Sequence, residues 1–215
     1  MITTSIFTKN IAALNDKGIR TIVNEGGTSS SKTFSILQAL HILASLRTKP
    51  LLISIVSESF PHLKLGAMRD FRLILGDEWN DARWNATDHL YQYQSAQIEF
   101  FSADQPGKAH GPRRDILFLN ECINIPREIA DALIMRTRSK VIIDHNPVGE
   151  YWAHDLKGKA GTEWIHSTYL DAKAVLPAEI VAAIEARKGT DPNWWNIYGL
   201  GNVGIVEGLV YPLFK

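Results

Sequence analysis

A chain of 215 residues, 45% apolar and 21% charged, has material for one substantial α/β domain, and its composition excludes a disordered or membrane-built chain. Lys plus Arg and Asp plus Glu are equal at 23 each, which excludes a global basic excess and leaves any nucleic-acid surface to a local patch. The single cysteine, Cys122, excludes an internal disulfide and fits a reducing compartment.

The opening residues 1–9 are polar and lack the apolar core of a secretion signal, and no apolar run approaches a membrane span, so the chain is expected to be soluble and intracellular. Residues 5–17 read as a short helix or arm, ended by Lys17-Gly18, before a first core strand over 20–24. The next stretch, Gly26-Gly27-Thr28-Ser29-Ser30-Ser31-Lys32-Thr33, lies between the apolar run Thr21-Ile22-Val23 and an amphipathic segment. Small residues let successive backbone N–H groups turn inward on a phosphate, and the following helix adds its positive end. Lys32 is placed to reach the β- and γ-phosphates and the Thr33 hydroxyl to ligate magnesium, so the chain is expected to bind ATP with Mg2+. Ser31 stands where the usual spacing has a second glycine, and it must take up the loop's backbone angles without glycine's freedom.

Ile36, Leu37, Leu40, Leu43 and Leu46 then recur at helical spacing, giving a helix over 32–47 with one face on a sheet. Leu51-Leu52-Ile53-Ser54-Ile55-Val56 reads as a strand covered on both faces, hence a parallel sheet between helix layers. Residues 59–75 return to helical spacing; Arg69 and Arg72 could face DNA or a neighbouring subunit, although a solvated face is preferred. Residues 89–102 read as a hairpin turning at Ser95-Ala96, an insertion without catalytic meaning.

The run Asp115-Ile116-Leu117-Phe118-Leu119-Asn120-Glu121 is a buried strand with a polar pair at its carboxyl end, where open α/β sheets place their ligands. Glu121 is the candidate base that deprotonates the attacking water. Asn120 occupies the usual place of an aspartate, so its hold on magnesium is expected to be weaker and to run through water. A third strand, 140–144, ends in His145-Asn146-Pro147; Asn146 is the candidate sensor of the γ-phosphate, or else a turn starter.

The ordered set of the loop at 26–35, Leu117-Phe118-Leu119-Asn120-Glu121, and Asp144-His145-Asn146-Pro147-Val148 with Tyr151-Trp152 resembles the large terminase subunits of tailed bacteriophages. The likeness runs on through 166–171, the helical stretch 176–188 and Tyr198-Gly199-Leu200-Gly201 to 208–214. It implies an α/β P-loop NTPase of RecA-like fold, of the type with a catalytic glutamate and an additional strand between the P-loop and Walker B strands, its mostly parallel sheet covered by helices. Residues 1–19 would form an arm, 20–170 the ATPase core, and 171–215 a helical subdomain leading toward a nuclease domain. The resemblance implies ATP-driven pumping of double-stranded viral DNA into a procapsid in the host cytoplasm, with a portal protein, a small terminase subunit and a homo-oligomeric ring as partners. The sequence stops where the family's nuclease would begin, so ATPase without nuclease is expected, and no zinc-like Cys/His spacing is present. The alternatives are another P-loop motor, helicase- or recombinase-like, or a nucleotide-binding assembly module that does not hydrolyse.

Such motors need a cation on the γ-phosphate in the transition state. Arg136 and Arg138, placed just before the third strand, are the candidates, from the same subunit or a neighbour, with Arg113 and Arg114 as lesser ones. Trp152, Trp194 and Trp195 are expected to pack a terminal subdomain rather than stack on bases, His110-Gly111-Pro112 to form a loop, and His154 and His166 to lack ligand partners.

Overall fold

The structure, a computed structural model, describes residues 2–104, 107, 111 and 113–204. Helix α1 (Ser5–Asn15) leads into strand β1 (Thr21–Gly26), helix α2 (Lys32–Ser45) and strand β2 (Leu51–Ser57). A helical stretch follows, made of α3 (Phe60–Leu63), a π-type turn over Lys64–Met68 and α4 (Arg69–Leu75). Short strands β3 (Trp84–Asn85) and β4 (Leu90–Gln92) precede β5 (Ala96–Ser102), β6 (Arg114–Leu119), helix α5 (Arg127–Met135) and β7 (Thr137–His145). Strand β8 (Thr162–Ser167), helix α6 (Ala178–Glu185) and two helical turns, Pro192–Trp194 and Trp195–Gly199, complete the described chain.

All eight strands join one sheet in the order β3-β4-β5-β2-β6-β7-β1-β8, parallel except at the β3-β4-β5 edge. Strand β7 lies between β1 and β6, so an additional strand separates the loop-bearing strand from the one that carries Glu121. The apolar runs have a direct cause in the pleat, which sends successive side chains to opposite faces. Ile22, Ile53, Ile55, Phe118 and Ile142 pack beneath α1, α2 and α4, while Val23, Val56, Leu117, Leu119, Val141 and Ile143 pack beneath α5. Both faces are covered, and a strand in such a sheet reads as a nearly continuous apolar run, broken where a buried polar group finds a partner, as Asn24 does with Asn10.

Three local expectations change. The 89–102 hairpin exists, but β5 is no insertion: it pairs with β2 from Leu51↔Ala96 to Ser57↔Ser102 as a parallel strand of the sheet. Ile98 and Phe100 enter one core and Phe101 the other, and this alternation is what draws β5 inside. Ala96 is already in that strand, with the turn closed by Tyr93 N donating to Ala96 O at 2.8 Å. The 59–75 helix is interrupted by the π-type turn that carries Gly66.

Trp194 and Trp195 pack a terminal cluster against Tyr169, Val181 and Ile184, whereas Trp152 lies not there but against the second core of the sheet. The readings of 208–214, His110 and Pro112 fall outside the described residues. Among the described residues no helix is long and apolar enough to cross a membrane.

Candidate nucleotide site

The loop leaves β1 at Gly26 and enters α2 at Lys32. Ser29 and Ser31 take left-handed backbone angles, with φ of 54° and 64°. Alternating hands at successive residues turn neighbouring N–H groups to one side, which forms an anion-binding concavity. Ser31 therefore adopts the glycine-like conformation that its position demands, held by contacts with Thr4 Oγ1 at 2.8 Å and Ser35 Oγ at 3.2 Å. Gly26 and Gly27 are small for a reason beyond phosphate approach. A Cβ on Gly26 would sit 2.3 Å from Ser167 O, and one on Gly27 would sit 2.3 Å from Tyr198 O.

Lys32 is buried, and its Nζ donates to Gly26 O at 2.9 Å, Gly27 O at 2.7 Å and Ser30 Oγ at 3.2 Å. Burial pulls its ammonium down to about 8, against the attraction of Asp144 and Glu121. In this arrangement the charge is curled onto the loop's own carbonyls. It must swing outward to meet a triphosphate.

The first helical turn and the ends of β6 and β7 meet at Asp144. This buried carboxylate accepts hydrogen bonds from Thr33 Oγ1 at 2.5 Å, from Glu121 N at 2.7 Å and from Asn120 Nδ2 at 3.1 Å. Asn120 Oδ1 in turn accepts from Ser57 Oγ at 3.0 Å, so the amide turns its nitrogen toward the carboxylate and Thr33. Asn120 thus turns its nitrogen toward Asp144 and Thr33 and its oxygen, the only atom of an amide that can ligate a cation, toward Ser57, so a hold on magnesium would have to run through water or through that oxygen. Asp144 is the residue that the sequence reading passed over, although an aspartate closing an apolar strand next to one that ends in an amide was its visible signal. Oxygen donors from Thr33 and Asp144 suit magnesium, which usually takes one or two carboxylates and fills its octahedron with phosphate and water.

Glu121 follows β6 in a left-handed conformation, φ 52°, with its side chain exposed at the same edge of the sheet. Its carboxyl is raised by the protein around it and by the Asp144 charge, with His62 and Lys32 pulling the other way. A carboxylate of raised basicity facing a phosphate loop is equipped to take a proton from water. Asn146 lies one step past the last β1–β7 ladder pair, Glu25↔His145, and so stands level with the beginning of the loop.

The arginines are placed elsewhere. Arg138 lies within β7, not before it, and pairs with Asp115 at 3.4 Å; Arg136 Nη1 donates to Gly111 O. The stretch of β7 from Arg138 to Asp144 spans roughly 20 Å at the usual strand rise. Neither arginine reaches the loop of its own subunit, and Arg114 is buried near the start of β6. His154 corrects its expectation differently, since its Nε2 meets Glu25 Oε2 at 2.9 Å. Burial opposes the Glu25 charge, but hydrogen bonds from His145, Trp164 and His154 prevail and hold its carboxyl down at about 2. This cluster, unseen in the sequence, fixes the end of β1 directly beneath the loop. His166 Nε2 contacts Gly201 O at 3.1 Å.

No family model matches the chain, and no curated protein matches it. Solved structures do. The large terminase of a thermophilic bacteriophage, in complex with ATP-gamma-S, superposes with a TM-score of 0.78 at 13% identity over 100% of this chain and 56% of that one. The large terminase ATPase domain of Thermus phage P74-26 gives 0.60 at 14% identity over 91% of this chain and 92% of that domain. The HK97 bacteriophage large terminase gives 0.73 at 12% identity over 94% and 51%. The chain thus spans little more than half of the first and the last of these proteins, and it has the fold of the large terminase ATPase domain.

Proposed function

We propose that this chain hydrolyses ATP and that hydrolysis drives the translocation of double-stranded viral DNA into a procapsid. The observation that carries the reading is the gathering of the 26–33 loop, Thr33, Asp144 and Glu121 at one edge of the parallel sheet. This is the carboxyl edge, where such sheets take their ligands. Backbone N–H groups of the loop and the Lys32 ammonium receive the β- and γ-phosphates. An apolar cavity of about 360 Å³ beside the loop, bordered by Phe34, Val175 and Leu176, can take the nucleoside base. Magnesium bound by the Thr33 hydroxyl would neutralise charge on the phosphate oxygens. Glu121 accepts a proton from water as the water oxygen bonds to the γ-phosphorus and the bond to the β-phosphate oxygen breaks, leaving ADP and phosphate. Asn146, level with the loop, reports the state of the γ-phosphate to β7.

A ring of subunits supplies the missing cation, because an arginine remote from its own site can serve a neighbour's. Arg136 and Arg138 are assigned to that role in trans. The portal protein and a small terminase subunit are the proposed partners, the host cytoplasm the proposed compartment, and residues 171–215 the proposed link onward from the 20–170 core. The thermophilic bacteriophage's large terminase has been solved with ADP and with ATP-gamma-S, and this supports the nucleotide assignment.

Steady-state ATP hydrolysis with magnesium tests the reading on the protein, Lys32→Ala and Glu121→Ala, each at low and high concentration. Turnover abolished in both variants, with a rise per subunit at high concentration in the parent, is expected. Tight ATP binding without turnover at any concentration would refute hydrolysis and leave an assembly module.

A further inference from the structure

We infer that the carboxylate organising the magnesium shell in this protein has moved one strand sideways: Asp144 on β7 does the work, and Asn120 on β6 positions it. The inference rests on the ATPase reading above and deepens it.

The ladder between β6 and β7 pairs Leu119 with Ile143, so the next residues, Asn120 and Asp144, stand side by side across the two strands. Adjacent strands are about 4.8 Å apart, so exchanging the two side-chain types shifts the charge by one strand and keeps it on the same edge. Strand β7, unlike β6, is a direct neighbour of β1, and Asp144 Oδ2 consequently reaches the Thr33 hydroxyl at 2.5 Å.

Each neighbour then has a definite task. Ser57 Oγ donates to Asn120 Oδ1, which leaves only the Asn120 amide N–H free to donate, and Asp144 accepts from it. Reversing the amide would press its oxygen against a carboxylate. The Glu121 N–H donates to the oxygen that the Asn120 amide also meets, Asp144 Oδ1, and couples the base to it through one bond of 2.7 Å, while Oδ2 accepts from Thr33. The Asp144 charge is met by these three donors and at longer range by Lys32. A carboxylate held this way accepts from three donors and, since its two oxygens offer about four acceptor sites, keeps about one for a hydrated cation. Were both 120 and 144 carboxylates, two like charges would face each other across one strand spacing and the amide N–H that now bridges to Asp144 would be lost. The amide at 120 follows from the aspartate at 144.

The test measures metal directly. Free manganese is followed by electron paramagnetic resonance while Mn2+ is titrated into the protein saturated with a non-hydrolysable ATP analogue. The variants are Asp144→Asn, Asn120→Asp and the exchanged pair Asn120→Asp/Asp144→Asn; analogue binding in EDTA and thermal melting serve as fold controls. Asp144→Asn is expected to weaken manganese by about 10- to 100-fold, the range typical of lost shell partners, with analogue binding in EDTA unchanged. The exchanged pair, which returns one carboxylate to the same edge, is expected to regain most of the loss. Unchanged manganese affinity in Asp144→Asn would overturn the inference. So would an equal loss of analogue binding in EDTA, which would reduce Asp144 to a brace for the loop. Failure of the parent protein to bind the analogue with or without metal would instead strike down the ATPase reading on which this rests.

Discussion

Ser31 offers a perturbation whose sign follows from the backbone alone. With φ at 64° it sits where L side chains meet the following carbonyl, a strain of about 1–2 kcal/mol that glycine escapes. The serine hydroxyl offsets part of this through Thr4 and Ser35, which also contact each other at 3.0 Å and keep that bond when Ser31 is truncated. Its loss therefore costs about 1 kcal/mol, within the usual range for a net hydrogen bond. Ser31→Ala keeps the strain and loses the hydroxyl, so it should destabilise by about 1 kcal/mol. Ser31→Gly loses the hydroxyl and loses the strain, while the freer unfolded chain costs about 0.4–1 kcal/mol, leaving a net change near zero. Glycine should therefore exceed alanine by about 1 kcal/mol. Urea denaturation with linear extrapolation resolves this, provided the slope m is the same in both variants. Alanine as stable as glycine would refute the left-handed assignment and with it the reason a serine can replace the expected glycine.

Three further outcomes follow from the same geometry. Lys32 is pulled down to about 8 from 10.5, so between these values the unfolded chain binds the extra proton and the folded one does not. The stability of the free protein should consequently rise with pH across that window relative to Lys32→Met, and parallel urea profiles for the two at about pH 7.5 and 9.5 would contradict the burial of an ammonium there. Glu121→Gln should cut turnover by about 10²–10⁴-fold with nucleotide affinity kept. In the parent the acid limb of the rate profile should lie above the ordinary glutamate range, because the protein around Glu121 and Asp144 raise it while His62 and Lys32 oppose; a limb at the ordinary value would count against it. Gly27→Ala should cost about 1–3 kcal/mol by driving a Cβ against Tyr198 O, whereas Gly66→Ala, with open space around it, should be neutral or stabilising in the same melts.

The sheet was legible because its strands are continuous apolar runs, and such runs have one explanation when helical spacing lies between them. Strand β5 was harder, since the alternation in Gln97-Ile98-Glu99-Phe100 is also what a surface hairpin shows; only its pairing with β2 makes it central. The place of the 26–33 loop between β1 and α2, and of Glu121 just past β6, could be read from local order along the chain. The contacts of Asp144 with Thr33, Asn120 and Glu121, the direction of the Asn120 amide and the Glu25–His154 contact could not, because each depends on residues from strands that are remote in sequence and adjacent in space. Whether the arginines stand at their own loop or away from it was hidden for a related reason: closeness along the chain to a strand does not say at which end of it a side chain lies. Arg138 and Asp144 share one strand and face opposite edges of the molecule.

The loop's tethers set how a change at the phosphates would travel. Gly27 N donates to Ser167 O at 3.0 Å and Thr28 N to Tyr198 O at 2.8 Å, so two loop amides are tied to β8 and to the turn at Trp195–Gly199. Gly201, at φ 68°, brings its backbone so near that a Cβ there would lie 2.8 Å from Gly27 N. Interfaces packed this closely do not deform gradually; they hold one arrangement or move to another. When Lys32 leaves the carbonyls of Gly26 and Gly27, the peptides that lose this donor are the ones pinned against residues 167 and 198. A loop that opens at Thr28 to admit phosphate must therefore carry the segment around 195–201 with it or break the Thr28–Tyr198 backbone hydrogen bond, worth about 1 kcal/mol, while the Gly27–Ser167 bond keeps its base on β8. Moving the segment is the cheaper course, because its own contacts with the loop are backbone bonds that travel with the pair.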